Sequence, residues 1–127
     1  MSRRGRALVV DDEPDVRETI ADVLQLDGYE VTAAADGGAG LEAVRRAPVD
    51  LVTLDLRMPG MDSKEALAEL RRVSPHAPVV VVSGYVTSEE AAACIALGAF
   101  AVVRKPFEVA ELLALFERAR RSGPPRS

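Results

Sequence analysis

The stretch VDLVTLDLRMPG, residues 49–60, decides the fold of this chain. Its apolar run ends directly in the carboxylate of Asp55, and a Pro-Gly pair closes the stretch. A buried strand that ends in this way holds its last carboxylate at the rim of a sheet, where open α/β sheets bind their ligands. At such a rim Asp55 could be a helix cap, a metal ligand or a nucleophile.

Composition limits the class of protein. The 127 residues suffice for one ordinary domain with a single core. A net charge of −4 and a pI near 5.0 argue against direct binding to nucleic acid. No apolar run approaches the roughly 20 residues that cross a bilayer, and the arginine-rich start does not resemble a signal peptide. A lone Cys94 excludes an intramolecular disulfide. We therefore expect a cytoplasmic protein without membrane contact.

Strand-like and helix-like segments alternate along the chain. Near-continuous apolar runs are typical of parallel strands covered on both faces, and the shorter, more polar second segment indicates an edge strand. The predicted strands are 7–10, 30–33, 51–54, 79–82 and 100–103. Five strands alternating with five helices predict a doubly wound, three-layer α/β domain over residues 1–121. Residues 122–127 are predicted to be a flexible tail or the stub of a linker.

Polar residues provide start signals for the predicted helices. Pro14 suits the first turn of the first helix, and Asp36 can cap the second. Glu65 follows Asp62, and Glu90 follows Thr87, at the three-residue spacing of a capping box. The last helix is predicted from residue 108 to about residue 120.

The polar residues that follow the strands carry the chemistry. Strand ends give Asp11 and Asp12, then Asp55, then Ser83, and finally Lys105, one of only two lysines in the chain. In a parallel sheet these ends share one edge, where two carboxylates about 4 Å apart repel by roughly 4 kcal/mol at an effective dielectric of 20. One lysine cannot neutralise three acids, so the oxygen ligands indicate a hard cation such as Mg²⁺.

Phosphate chemistry follows from the remaining groups. The hydroxyl of Ser83 and the ammonium of Lys105 suit the oxygens of a phosphoryl group, and Gly84 leaves the rim open for it. Attack by Asp55 on phosphorus would give an aspartyl phosphate. Simpler interpretations remain at this point: Asp11 and Asp12 could only cap the first helix, Ser83 could be a turn residue, and Lys105 a solvated surface lysine.

The order of these residues, with DLRMPGMD from Asp55 to Asp62 and Lys105-Pro106-Phe107, strongly resembles the receiver domain of two-component response regulators. The resemblance spans residues 6 to 120. It implies a flavodoxin-like fold like that of the chemotaxis regulators, with strand order 2-1-3-4-5.

The resemblance also implies the roles of the site residues. Asp55 would be the phosphoacceptor, and Ser83 and Lys105 would contact the phosphoryl oxygens. Mg²⁺ or Mn²⁺ would bind Asp12 directly, Asp11 largely through water, Asp55, and the backbone carbonyl of Arg57. The phosphoryl donor would be a histidine kinase or histidine phosphotransfer protein. Downstream, the fourth helix, fifth strand and fifth helix would bind a partner or a second copy.

Two features depart from or modulate the family pattern. Val102 stands where receivers usually carry a Tyr or Phe that moves as the hydroxyl closes on the phosphoryl group. Strand alternation predicts Phe100 on the same face as Val102, so Phe100 or backbone movement could carry the signal. Arg57 and Tyr85 lie at positions that tune phosphoryl lifetime in the family, and their bulk predicts slow decay.

Competing functions differ in their use of phosphate. The first expectation is a phosphorylation-driven switch rather than a dedicated enzyme. The second is a constitutive interaction module that has kept the fold without phosphate control, for which Val102 is the main evidence. The third is a phosphohydrolase with an aspartyl intermediate. Such enzymes usually carry a second aspartate two residues after the nucleophile, where this chain has Arg57.

Overall fold

A computed structural model describes residues 5–57 and 62–121, so the predicted Pro59-Gly60 turn and the tail at 122–127 lie outside the described residues. Five strands and five helices alternate as predicted. The elements are β1 Gly5–Val10, α1 Pro14–Leu26, β2 Tyr29–Ala34, α2 Gly37–Arg46, β3 Leu51–Leu54, α3 Ser63–Val73, β4 Val79–Ser83, α4 Ser88–Ala96, β5 Ala101–Arg104 and α5 Val109–Arg121. No helix in this described part combines the length and apolar character needed to span a membrane.

The sheet is parallel throughout, with strand order β2-β1-β3-β4-β5. This confirms the doubly wound fold and the prediction that β2 is an edge strand. The three central strands are covered on both faces, which is why their sequences are apolar without alternation. The order reverses between β1 and β3, and ligands bind at such a switch point in open α/β sheets.

Two apolar clusters form the core, one on each face of the sheet. The α2, α3 and α4 face packs around Leu41, Leu67 and Cys94, whereas the α1 and α5 face packs around Ile20 and Phe116. Cys94 is therefore a buried core residue. The two clusters hold the strand ends in a fixed arrangement at the polar edge.

The position of Phe100 contradicts the prediction that it shares a face of the strand with Val102. Strand β5 begins at Ala101, so the alternation that would have placed Phe100 beside Val102 does not extend back to it. Phe100 packs against the α1 and α5 cluster, whereas Val102 packs against the α2, α3 and α4 cluster. The two side chains thus lie on opposite faces of the sheet.

The helix starts match the sequence signals with one difference. Asp36 caps α2 by accepting a hydrogen bond from the N–H of Ala39, and Thr87 and Glu90 form both bonds of a capping box at α4. At α3 the Asp62 side chain accepts from the N–H of Lys64, one residue before Glu65. Asp62 is therefore a single cap rather than half of the predicted box.

Candidate functional site

Backbone hydrogen bonds continue the sheet one residue past its strands and place the site residues side by side. The N–H of Asp55 donates to the carbonyl of Val10 at 2.9 Å, which brings Asp55 beside Asp11. The N–H of Lys105 donates to the carbonyl of Ser83, also at 2.9 Å. The parallel sheet therefore brings residues from four separate segments to one edge, as the sequence predicted.

Three carboxylates converge at this edge. Asp11, Asp12 and Asp55 each offer an oxygen, and these oxygens lie within 4.8 Å of one another. Asp11 and Asp55 are almost fully buried, whereas Asp12 is exposed. One oxygen of each buried acid is held by the backbone: Asp11 Oδ1 accepts from the N–H of Glu13 at 2.9 Å, and Asp55 Oδ1 from the N–H of Arg57 at 3.0 Å. These two bonds leave each Oδ2 facing the site.

Lys105 is the cation that faces this cluster. Its Nζ lies 3.0 Å from Asp11 Oδ2 and 3.4 Å from Asp55 Oδ2. The contact with Asp11 does not have the geometry of a hydrogen bond, so it is an ion pair only. The shortest contact, 2.8 Å, is with Oε1 of Glu13. Glu13 is a site residue that sequence reasoning missed, although its position directly after Asp11-Asp12 was a signal.

The pKa values of Lys105 and Asp11 are both shifted upward by their surroundings. Burial alone would lower the pKa of Lys105, but its pairing with Glu13 and Asp11 and the charge of Asp55 raise that pKa well above the ordinary value. Burial raises the pKa of Asp11, and the negative charge of Asp55 adds to the rise. The Glu13 N–H and Lys105 offset only part of it. One ammonium thus leaves the three carboxylates undercompensated, which is the electrostatic condition that favours a divalent cation.

Ser83 ends β4 and is completely buried. Its Oγ has no hydrogen-bond partner among the described residues, and the same holds for Oδ2 of Asp11. Buried polar atoms are nearly always hydrogen-bonded, so unpartnered ones need an explanation. Here both atoms belong to residues at the strand ends that form the polar edge.

A cavity of about 280 Å³ opens above the carboxylates. Its lining residues are Asp12, Glu13, Asp55, Arg57, Gly84, Tyr85 and Lys105. At its mouth, the guanidinium carbon of Arg57 lies 5.0 Å from the ring centre of Tyr85, which is 68% exposed. A Cβ on Gly84 would sit 3.9 Å from Cδ of Lys105, so a larger side chain there would begin to fill the space beside the ammonium.

The donor set fits a small hard cation. All three side chains supply carboxylate oxygen, and Mg²⁺ prefers one or two carboxylates together with water and phosphate oxygen. Oδ2 of Asp11, which has an ion pair with Lys105 but no hydrogen bond, and the exposed carboxylate of Asp12 are the groups with capacity for such an ion. The predicted acidic residues, Lys105, Arg57, Gly84 and Tyr85 are thus brought together, whereas Val102 and Phe100 lie outside the cavity lining.

Known proteins resemble this chain in sequence and in fold. The sequence profile of the family described as "Response regulator receiver domain" matches residues 7–117. The Regulatory protein AtoC of Escherichia coli (strain K12) is 36% identical over 119 residues, which cover 94% of this chain and 26% of that protein. The chain thus spans about a quarter of that relative's length.

Solved structures show the same fold. The response regulator receiver domain protein (CheY-like) from Methanospirillum hungatei JF-1 superposes with a TM-score of 0.88 at 27% identity, covering 95% of each chain. The receiver domain of NtrX from Brucella abortus gives a TM-score of 0.85 at 36% identity, covering 91% of this chain and 98% of that one.

Proposed function

The chain belongs to the response regulator receiver domain family of two-component systems, and we propose that Asp55 is its phosphoacceptor. The observation that carries this proposal is the placement of the buried Asp55 carboxylate 3.4 Å from the Lys105 ammonium, within a cluster of three acids. A carboxylate oxygen of Asp55 attacks phosphorus, a P–O bond forms, and the bond from phosphorus to the donor breaks. With a histidine kinase or histidine phosphotransfer protein, the leaving group is the imidazole nitrogen.

Charge and position explain the roles of the surrounding groups. Lys105 and the hydroxyl of Ser83 are proposed to hold the phosphoryl oxygens. Asp11, Asp12, Asp55 and the backbone carbonyl of Arg57 are proposed to hold Mg²⁺ or Mn²⁺. When bound, this ion lowers the repulsion between the carboxylates and the incoming phosphoryl group. The protein takes part in its own phosphorylation and dephosphorylation and is proposed not to be a dedicated enzyme.

Because position 102 is a valine, a structural change at the site must reach the surface of the protein by a different route. A valine has no ring to swing inward, and Phe100 packs on the opposite face of the sheet. One alternative link is Arg104, whose Nε donates to the carbonyl of Val86 at 3.3 Å. This bond ties β5 to the loop that follows Ser83, so movement of that loop would be transmitted to β5 through the Arg104 side chain.

The output surface is proposed to be the face formed by α4, β5 and α5. Three large apolar side chains near these elements are exposed, namely Ile95, Leu97 and Val109. A protein partner or a second copy of the chain could cover them, whereas the acidic net charge disfavours nucleic acid. We place this module at residues 1–121 with a linker from 122, and we propose that it works in the cytoplasm.

Phosphorylation of Asp55 can be tested directly. We expect incubation with acetyl phosphate and Mg²⁺ to add the mass of one phosphoryl group to the intact protein. Asp55→Asn should take up none, because its amide is a poor nucleophile. Asp22→Asn, at an exposed position on α1, is the matched control and should be labelled like wild type. Labelling of Asp55→Asn at the wild-type level would contradict the assignment.

A constitutive interaction module is the second candidate, and Val102 is the observation that favours it. In that case the chain binds its partner equally well with and without the phosphoryl group. The test is binding of the same partner to wild type and to Asp55→Asn, each with and without acetyl phosphate. A phosphohydrolase is disfavoured, because Arg57 stands where such enzymes usually carry the aspartate that acts as general acid, and an arginine side chain cannot supply that proton.

A further inference from the structure

Glu13 makes the shortest contact to the reactive centre's lysine. Its Oε1 lies 2.8 Å from Nζ of Lys105, compared with 3.0 Å for Asp11 and 3.4 Å for Asp55. Glu13 also lines the cavity above Asp55. The two residues are 92 positions apart in sequence, so the fold creates this contact.

The backbone fixes the base of the Glu13 side chain. The N–H of Glu13 donates to Oδ1 of Asp11, and the helix that begins at Pro14 makes Glu13 its N-cap residue. Its carboxylate makes no capping hydrogen bond to that helix, so it is not needed for the helix start. Its carboxylate instead reaches across to Lys105.

Burial distinguishes Glu13 from the other acids around Lys105. The side chain of Glu13 is 60% exposed, whereas those of Asp11 and Asp55 are 1% and 2% exposed. The ammonium therefore lies between a buried acidic pair and one acid on the solvent side. A phosphoryl group that approaches from solvent must enter through a cavity whose lining includes that carboxylate.

We infer that Glu13 is a positioning residue that competes with the incoming phosphoryl group for Lys105 and thereby slows phosphorylation of Asp55. This inference rests on the proposed function. While the phosphoryl group is absent, Glu13 draws the ammonium toward the cavity mouth. During transfer Lys105 must release Glu13 before it can pair with the phosphoryl oxygens. The carboxylate also repels the anionic donor at the entrance.

The expected effect is modest, because one partner of the pair is largely exposed. An exposed ion pair of ordinary strength changes an equilibrium or rate by about two- to fivefold. Its contribution is screened by salt, since the Debye length falls from about 10 Å at 0.1 M to 3 Å at 1 M. A purely structural role for Glu13 would not produce this dependence on salt.

The test compares rates of phosphorylation by acetyl phosphate at fixed Mg²⁺. Glu13→Gln keeps the shape of the side chain and removes its charge, and we expect it to be phosphorylated about two- to fivefold faster than wild type. The ratio should shrink toward one as the salt concentration rises. Glu13→Asp keeps the charge but shortens the side chain by one methylene, so its phosphorylation rate should lie between those of wild type and Glu13→Gln. Glu18→Gln, an exposed glutamate on α1, makes the same change in net charge and should leave the rate unchanged.

A second measurement reads Lys105 without any donor. Hydrogen exchange of its ¹⁵N-labelled ammonium should be faster in Glu13→Gln than in wild type and in Glu18→Gln. Equal phosphorylation rates for wild type and Glu13→Gln, or a slower rate for Glu13→Gln, would overturn the inference. Failure of wild type to take up any phosphoryl group would instead overturn the proposed function, and the role of Glu13 with it.

Discussion

The guanidinium carbon of Arg57 lies 5.0 Å from the centre of the Tyr85 ring, which is the distance of a cation–π pair. Arg57 follows β3, and Tyr85 lies in the loop after β4, so the pair connects two loops across the mouth of the cavity. Water that hydrolyses a phosphoryl group on Asp55 must reach phosphorus through this cavity. We therefore propose that the contact between the two side chains affects how long a phosphoryl group on Asp55 survives.

Removal of either partner should shorten the lifetime of the phosphoryl group. We expect Arg57→Asn and Tyr85→Ala each to lose it about two- to fivefold faster, since a cation–π pair at an exposed site contributes about 0.5–1 kcal/mol. The double variant should decay little faster than either single variant, because the two side chains act together. Decay can be followed by ³¹P NMR after donor removal, with Arg118→Asn on the exposed face of α5 as the control. Unchanged lifetimes in both variants would rule out shielding by this pair.

Asp11 should make metal-free stability depend on pH. Burial, together with the charge of Asp55, raises its pKa above the ordinary value of 3.8. The folded state therefore binds this proton more tightly than the unfolded chain. As pH rises from 3.8 through the raised pKa, the free energy of unfolding should consequently fall.

Asp11→Asn removes this titration and should be more stable than wild type at pH 7 in the absence of Mg²⁺, by on the order of 1 kcal/mol. The difference should vanish at pH 3, where wild-type Asp11 is also neutral. Urea denaturation in EDTA at the two pH values measures it. A variant less stable than wild type at pH 7 would show that the Lys105 ion pair outweighs burial.

Mg²⁺ should stabilise the folded protein, because the three carboxylates meet only in the folded state. At a concentration of 100 times the Kd, a single bound ion raises the free energy of unfolding by about 2.7 kcal/mol. Asp12→Asn should lose most of the Mg²⁺-dependent rise in Tm, whereas Asp22→Asn should keep it. Thermal unfolding across a Mg²⁺ titration checks this. An equal rise in both variants would indicate that Asp12 does not bind the ion.

Arg104 should couple the site to β5. Arg104→Gln removes the guanidinium that donates to the carbonyl of Val86. Beryllofluoride with Mg²⁺ serves as the probe for the phosphoryl group, and amide chemical shifts report its effect. We expect the changes in α4 and β5 to be smaller in Arg104→Gln than in wild type, while those at Asp55 persist. Chemical-shift changes in α4 as large as those of wild type would show that the coupling does not pass through Arg104. Arg118→Gln is the control for the lost charge.

Substitution of Gly40, which lies where α2 packs against the sheet, should destabilise the protein. A Cβ at this position would lie 2.9 Å from Cγ2 of Val10, closer than side-chain carbons approach, so Gly40→Ala should cost about 1–3 kcal/mol of stability. Gly38, two residues earlier on the exposed side of the helix, is the matched control. There a Cβ meets only Asp36 Oδ1, at 3.4 Å, and Gly38→Ala should be neutral or stabilising by up to about 1 kcal/mol.

The sequence predicts the fold and most of the site because both depend on where apolar runs stop. Asp55 and Lys105 directly follow strands, so a parallel topology is enough to bring them together. Glu13 was missed because it lies three residues past the end of β1, and a glutamate before Pro14 looks like an ordinary helix start. The placement of Phe100 was wrong because alternation holds only inside a strand, and the boundary of β5 was off by one residue.

The scarcity of lysine gives the arrangement around Lys105 a chemical consequence. Lys64 and Lys105 are the chain's only side-chain amines, and Lys105 is 12% exposed beneath the solvent-side carboxylate of Glu13. An acylating reagent reacts with free, accessible, deprotonated amines, so Lys105 is protected by both its burial and its raised pKa. Lys64 provides the internal reference in the same molecule. The ratio of acylation at Lys105 to acylation at Lys64 therefore reports how firmly the surrounding acids hold Lys105, and mass spectrometry of unlabelled protein can measure it.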